Sequence, residues 1–360
     1  MILNTYQKFL VGTFFKSFIL ITIIFLCLGF ILGILEEIVF FKELDVGLHY
    51  PIFLTLLNIP SIVFNLFPFI FLISTQYLFL KFFENDELNI FKSKGFNNLK
   101  ILKIITFSSF ILGILIICFY YSLSSSFKHS YLQFKNKFTK DNKYIAIIND
   151  TGLWIKEENN EEINIINAKI IEENILKNIN LTKLNNNNGQ INILFAERAD
   201  ISNKTWIFEN VYVNKENKPK EFFKKLSYDS NFDYEKIRNL FSNLSSLNIF
   251  QLTKLKNDYE SLGYSNTHIK SHMYKLISLP LYLVLMTVIG CIIMFNTKYK
   301  TSITLNLALG IFASSIIYYL TYFFNLLGTT EKIPLLLSIF LPYVILTLFC
   351  LIGTTNLNEK

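Results

Sequence analysis

His268 and His272 stand four residues apart, the spacing that sets two imidazoles on one helix face, where they could share a metal ion. No Cys, Asp or Glu cluster accompanies them, and a long apolar run begins just beyond. Ser124, Ser125 and Ser126 with His129 have the residue types of a nucleophile and its base. They close another apolar run, where polar side chains meet an interface. The four cysteines, Cys27, Cys118, Cys291 and Cys350, lie inside apolar runs without metal-ligand spacing. They read as small buried hydrophobes, and no disulfide framework follows from them. The chain has no G-x-x-x-x-G-K-[ST], G-x-G-x-x-G, H-E-x-x-H or G-x-S-x-G. Nothing here makes a positive case for a catalytic residue, a cofactor or a metal, and so none for an enzyme.

A second kind of chemistry, recognition by a charged and apolar helix, fits Phe83 to Gly95 better. Asn85 is a good N-cap, Asp86 and Glu87 fall in the first turn, Lys92 and Lys94 in the last, and Gly95 at the stop. The spacing predicts a short helix over about 84–95, roughly 15 Å long. Leu88 and Phe91 share one of its faces. Two readings stay open: an interfacial helix resting on lipid, or a helix that docks into a cytoplasmic ATPase. Glu36 and Glu37, followed by Lys42, Glu43 and Asp45, form another charged group beside an apolar run. Ionisable groups at such a depth either form a site or mark the boundary of the hydrocarbon.

The elements that carry these residues follow from the distribution of charge. The chain has 360 residues, 52% apolar and only 17% charged, with 37 Phe and 19 Tyr. Its mean hydropathy is +0.38. A disordered chain, a collagen-like chain and a disulfide scaffold are excluded. Residues 128–275 hold 40 of the 61 charged residues. Six runs hold none: Ser17–Leu35, Ile52–Leu80, Ile104–Phe127, Leu276–Thr297, Thr301–Thr330 and Ile333–Asn358. Each is long enough to cross about 30 Å of hydrocarbon as a helix. The first is too long for a signal peptide, and no small-x-small site follows it. The expected fold is an α-helical membrane protein of six transmembrane helices, three plus three, around an inserted outer domain.

Short-loop lysines set the orientation. Lys8 and Lys16, then Lys81, Lys92, Lys94, Lys100 and Lys103, then Lys298 and Lys300 all fall on one side. The other side has Lys42 and Lys332 in its short loops. Both termini are therefore expected in the cytoplasm and the large insert outside it. The net charge of +7 reads as topology, not as nucleic-acid binding.

The insert alternates with period two at Glu162–Ile165 and Gln190–Ile193. Trp206 and Phe208, then Val211 and Val213, continue the period with a phase change between them. Asn149–Gly152 and Asn188–Gly189 are turn signals, and Asn185–Asn188 reads as a loop tip. Short strands between turns predict a sandwich or jelly roll. From about Asp233 the pattern turns helical, with Leu240, Leu244, Leu247 and then Leu252, Leu255, Tyr259, Leu262 at helical spacing.

The layout and several motifs resemble the lipopolysaccharide export permeases LptF and LptG, the YjgP/YjgQ family, over essentially the whole chain. The family's S-E-L-x-A-x-R-x-x-G-x-S loop is similar to Asp86–Asn97, with Glu87, Leu88 and Gly95 matching and Lys92 for the usual Arg. Asn58-Ile59-Pro60 and Phe67-Pro68 resemble the paired L-P of helix two. Thr151-Gly152-Leu153-Trp154 resembles the G-x-W strand, and Ile163–Ala168 the I-x-I-x-x-A strand. Lys275–Pro280 resembles the K-x-x-x-P entry to helix four. Leu327-Gly328, Ile333-Pro334 and Pro342 resemble the closing L-G, L-P and P. Gly152-Leu153-Trp154 looks more like the LptG branch.

The resemblance implies a division into transmembrane helices one to three (1–127), a periplasmic β-jellyroll-like domain ending in a helical return (128–271) and helices four to six (272–360). It implies a multi-pass protein of the inner membrane that pairs with a sister permease, LptF if this is LptG. It implies an LptB-type ATPase dimer that hydrolyses ATP on its own chains, and an LptC-type periplasmic partner that receives lipopolysaccharide. Asp86, Glu87, Leu88, Phe91, Lys92 and Gly95 would form the coupling helix, with Glu87 against a basic residue of the ATPase and Leu88 and Phe91 in its groove. Lys42, with Glu36 and Glu37, would face the phosphorylated head group. The family's cationic wall is thin here, since Lys42 is the only base at that end. Helices one and five would wall the apolar cavity. The rival readings are a mechanotransmission-type ABC permease, a receptor with a ligand-binding outer domain, and an intramembrane enzyme. A receptor calls for a cytoplasmic output domain, and an intramembrane enzyme for paired polar groups within the apolar runs.

Overall fold

Runs without charge have no solvated face, so their backbone polar groups are best satisfied within a helix. In the computed structural model the six runs become α1 (Thr5–Phe41), α2 (His49–Glu84), α4 (Asn98–Asn136), α6 (Thr267–Phe295), α7 (Ile303–Thr329) and α8 (Leu335–Asn358). The short α3 (Glu87–Ser93) lies between α2 and α4, and α5 (Ile249–Ser261) precedes α6. The structure describes residues 4–42, 46–138, 153–159, 162–172, 174–185, 191–215, 219–230, 232, 234, 237, 243–261, 265–295 and 303–358. All six long helices are long and apolar enough to span a membrane. The helices outrun their charge-free centres. At the start of α1 the Asn4 backbone N–H donates to Gln7 Oε1 at 3.0 Å, and Asn97 Oδ1 accepts from the Lys100 N–H at 3.1 Å to start α4.

The chain divides into two compact units, Met1–Lys128 with Thr267–Lys360, and His129–Asn266. In the helical unit α1 lies along α2 through aromatic contacts, with Phe18 and Phe71 rings 5.1 Å apart edge to face. Helix α6 is the most enclosed of the long helices, whereas α1 and α7 leave most of their apolar surface outward. In hydrocarbon such a face meets lipid or another membrane helix. Helix α4 contains one wide turn, a π-helical stretch over Ile116–Tyr121.

The second unit holds one antiparallel sheet: β1 (Leu153–Asn159), β2 (Glu162–Glu172), β3 (Ile175–Asn185), β4 (Ile191–Asp200), β5 (Thr205–Lys215) and β6 (Glu221–Asp229). The strand order is sequential. The crossover that makes a jelly roll is therefore absent among the described strands, because short connections pair each strand with its chain neighbour. The turn signals at 149–152 and 186–190, and the Lys298–Lys300 turn, lie outside the described residues.

The phase change after Phe208 has a backbone cause. Asn178 and Asn210 sit inside β3 and β5 with φ of 52° and 53°. The register places them in one row with Glu197, which accepts from Asn210 Nδ2 at 2.7 Å. On either side of this row the buried positions shift by one, from Leu176 to Ile179, Ala196 to Ala199 and Phe208 to Val211. The sheet doubles over across the row. Tyr228 pairs with Trp206 near one end of the strands, and Lys183 pairs with Asn192 near the other. A flat sheet would hold these ends about 25 Å apart along β4. Yet Lys183 Nζ lies 5.2 Å from the Tyr228 ring centre, and Tyr228 Oη donates to Glu157 of β1 at 2.8 Å. One meander thus makes two layers. Trp206 fills the space between, its indole N–H donating to the Phe232 carbonyl at 2.7 Å. In α5, Leu252 and Leu255 are buried, as their spacing predicts, while Leu240 and Leu262 lie outside the described residues.

Candidate functional site

Helix α2 ends at Asn85, whose N–H still reaches the Lys81 carbonyl at 3.0 Å. Asp86 then takes a left-handed conformation, φ 57°, and turns the chain into α3. The expected helix over 84–95 is therefore shorter, Glu87–Ser93, and Asn85 caps the end of α2 in place of starting the next helix. Asn89 Nδ2 donates to Asp86 Oδ1 at 2.7 Å and braces this corner.

The other end stops sharply. Gly95 has φ 81°. Its N–H donates to the Lys92 carbonyl and that of Phe96 to the Phe91 carbonyl, both at 3.0 Å. This paired arrangement satisfies the last carbonyls of the helix, and glycine holds the left-handed position without strain. The Phe91 and Phe96 rings, 6.1 Å apart, close the motif with an apolar contact.

Leu88 is 8% exposed and belongs to the core of the helical unit. Phe91 packs on Phe9 and Phe82, ring centres 6.1 and 5.9 Å away. Their shared face points into the bundle and fixes how α3 sits. The outward face carries Asp86, Asn89, Ile90, Lys92, Ser93 and Lys94, with Glu87 half-buried at its edge. Ile90, 51% exposed, is the apolar side chain on that face. Helical periodicity pairs Leu88 with Phe91 but cannot say which way the pair points.

The first-helix group is spread out. Glu36 is exposed near the end of α1, Glu37 is buried, and Lys42 is exposed just beyond the helix. Successive helical residues diverge by about 100°, so Glu36 and Glu37 address different surroundings.

Polar contacts between helices of the helical unit escaped the sequence reading, these three among them. Lys128 Nζ donates to Asn58 Oδ1 at 2.8 Å, linking α4 to α2. Tyr121, in the wide turn of α4, shares a 3.1 Å hydrogen bond with His272 Nε2 of α6. Gln76 of α2 is fully buried and donates to the Asn306 carbonyl of α7 at 2.8 Å. His272 carries a signal, its spacing from His268, that points to a metal and not to Tyr121; the others are single polar residues in or beside an apolar run, which name no partner. The His272 imidazole is thus held by a phenol, and no metal-binding cluster exists among the described residues.

Among models of known protein families, that of the lipopolysaccharide export system permease LptF/LptG matches residues 8–356. No curated protein matches the chain.

Proposed function

The chain belongs to the lipopolysaccharide export system permease LptF/LptG family, a multi-pass inner-membrane permease, and from this premise we propose that it is one half of an ATP-driven transporter of the LptG branch. A sister permease stands beside it, and an LptB-type ATPase dimer docks beneath the pair. Both termini and α3 are cytoplasmic, and the β unit is periplasmic. ATP binding closes the ATPase and narrows the space between the permeases. Lipopolysaccharide then leaves the membrane toward an LptC-type partner. Helices α1 and α7, with the most outward apolar surface, wall that space. Glu36, Glu37 and Lys42 stand at the head-group end, with Lys42 the base there.

The observation that carries the coupling role is the build of α3. It is fixed before any partner arrives, by Leu88 and Phe91 on one side and the Gly95 stop on the other. It offers Ile90 beside Asp86 and Glu87, one turn before it, with Lys92 exposed on the same helix. Preorganisation of this kind lowers the ordering cost of docking. In this assignment Glu87 and Lys92 meet charges on the ATPase, Ile90 enters its groove, and Leu88 and Phe91 hold the helix in place. Charge reversal at Glu87 sets like charges together and is expected to weaken capture.

The test is co-purification in mild detergent of native and Glu87→Arg forms. An ATPase subunit and a second six-helix permease are expected with the native form and reduced with the variant. A native form that captures neither, from membranes containing both, overturns the coupling assignment and favours a receptor.

A further inference from the structure

Gln76 stands two turns before the end of α2, inside its charge-free run, and is fully buried. Its Nε2 holds the Asn306 carbonyl in the first turn of α7. Its Oε1 is buried and has no hydrogen-bond partner among the described residues. A buried amide that is half satisfied is a costly way to fill space that Leu or Met would fill without penalty. The contact is also built from the other side. Gly310 lies one turn beyond Asn306, and a Cβ there would collide with the Gln76 carboxamide. Helix α7 therefore keeps an opening where α2 carries its amide.

The two helices differ in their attachment. Helix α2 is enclosed along much of its length and leads, across Asn85 and Asp86, into α3. The Phe82–Phe91 contact binds the end of α2 to α3. Only about 12 Å of helix separates Gln76 from Glu84. Helix α7 is loosely enclosed, with Leu305, Leu309 and Phe312 outward near this contact.

We propose that Gln76 and Gly310 form a socket that fixes the start of α7 to α2, so that displacement of α3 reaches the cavity-facing helix α7. The proposal rests on the export reading above and adds to it a positioning residue that touches neither lipid nor nucleotide. Motion of the docked helix passes along α2 as a rigid rod. At Gln76 it is handed to α7 through one directional bond and a shape match.

The experiment reconstitutes the chain with its sister permease and ATPase in proteoliposomes and reads ATP hydrolysis and lipid release together. In Gln76→Leu, hydrolysis is expected to persist. Lipid released per ATP is expected to fall about 3–20-fold, the range of one interhelical hydrogen bond in a membrane. Gly310→Ala is expected to do the same by expelling the amide. The combined Gln76→Ala and Gly310→Ala variant removes the collision but not the loss of the donor, so release per ATP is expected to stay low. Its return to the native ratio would show that packing alone mattered and would overturn the socket.

A measurement that leaves Gln76 and Gly310 unchanged covers variants that fail to fold. Spin labels at exposed Glu84 and Leu309, with exposed Cys27 and Cys118 replaced by serine, report the α2–α7 distance. That distance is expected to be the same with and without nucleotide, and a nucleotide-driven change overturns the proposal. A native complex that binds no ATPase or releases no lipid overturns the export reading, and the socket's transmitting role falls with it. A working native complex matched by Gln76→Leu removes the socket alone.

Discussion

Replacing Gly95 with alanine isolates the backbone contribution to the α3 stop. Gly95 has φ 81°. A Cβ built there meets nothing within 4 Å. The substitution therefore introduces no collision, and its whole effect is the strain of an L-residue in the left-handed region, about 1–2 kcal/mol. That strain falls on the two hydrogen bonds that depend on this conformation, Gly95 to Lys92 and Phe96 to Phe91. If α3 opens locally, protection of the Phe96 amide against hydrogen exchange drops by a factor of about 5–30. Gly95→Asn is expected to lose less, because asparagine tolerates this region better. Gly12→Ala is the control: it too meets nothing within 4 Å, but it lies inside α1. It should leave Phe96 unchanged and stabilise α1 by up to about 1 kcal/mol. Exchange mass spectrometry of a peptide spanning Phe91–Asn98 reads all three. Unchanged exchange in Gly95→Ala would refute the left-handed stop and, with it, the claim that α3 is preformed. ATPase capture by the same variant should weaken in step with the lost protection.

Other substitutions separate docking from folding. Ile90→Asp is expected to abolish ATPase capture with no change in the melting temperature in detergent, since Ile90 faces outward. Leu88→Ala is expected to cost about 2–5 kcal/mol of stability, the range for emptying a buried leucine site, seen as a lower melting temperature. In the β unit, Tyr228→Phe removes the hydroxyl that donates to Glu157, expected to cost about 1–3 kcal/mol and checked by denaturant titration of the buried Trp206 fluorescence. The Ser202 hydroxyl and backbone N–H hold Asp200 below its ordinary value of 3.8. Its contribution is therefore complete above pH 3.8 and fades as pH falls through the lower folded value. Exchange at the Ser202 amide, relative to its intrinsic rate, should rise over that acid range and be insensitive to it in Asp200→Asn.

The membrane helices could be read from the sequence because absence of charge over 20 residues is a signal each segment carries by itself. Their ends could not, since α1 continues past Lys8, Lys16, Glu36 and Glu37 into regions where charged side chains reach water. The break between Phe208 and Val211 was visible as a change of phase. Its meaning was not, because the row through Asn178, Glu197 and Asn210 exists only once strands are paired. Leu88 and Phe91 show the same limit: periodicity groups residues on a face, and only packing says what the face meets. Gln76 left no periodic trace, being one amide in a long apolar run whose partner lies 230 positions away.

The doubled-over meander also sets an order of events for the growing chain. Each ladder joins a strand to the one just made, so pairing can proceed strand by strand, without waiting for distant sequence. First strand meets last in the hydrogen bond from Tyr228 to Glu157, 71 positions apart. That bond can form only after β6 exists and the sheet has turned back across its asparagine row. The final act of assembly in this unit is therefore the meeting of its two edges.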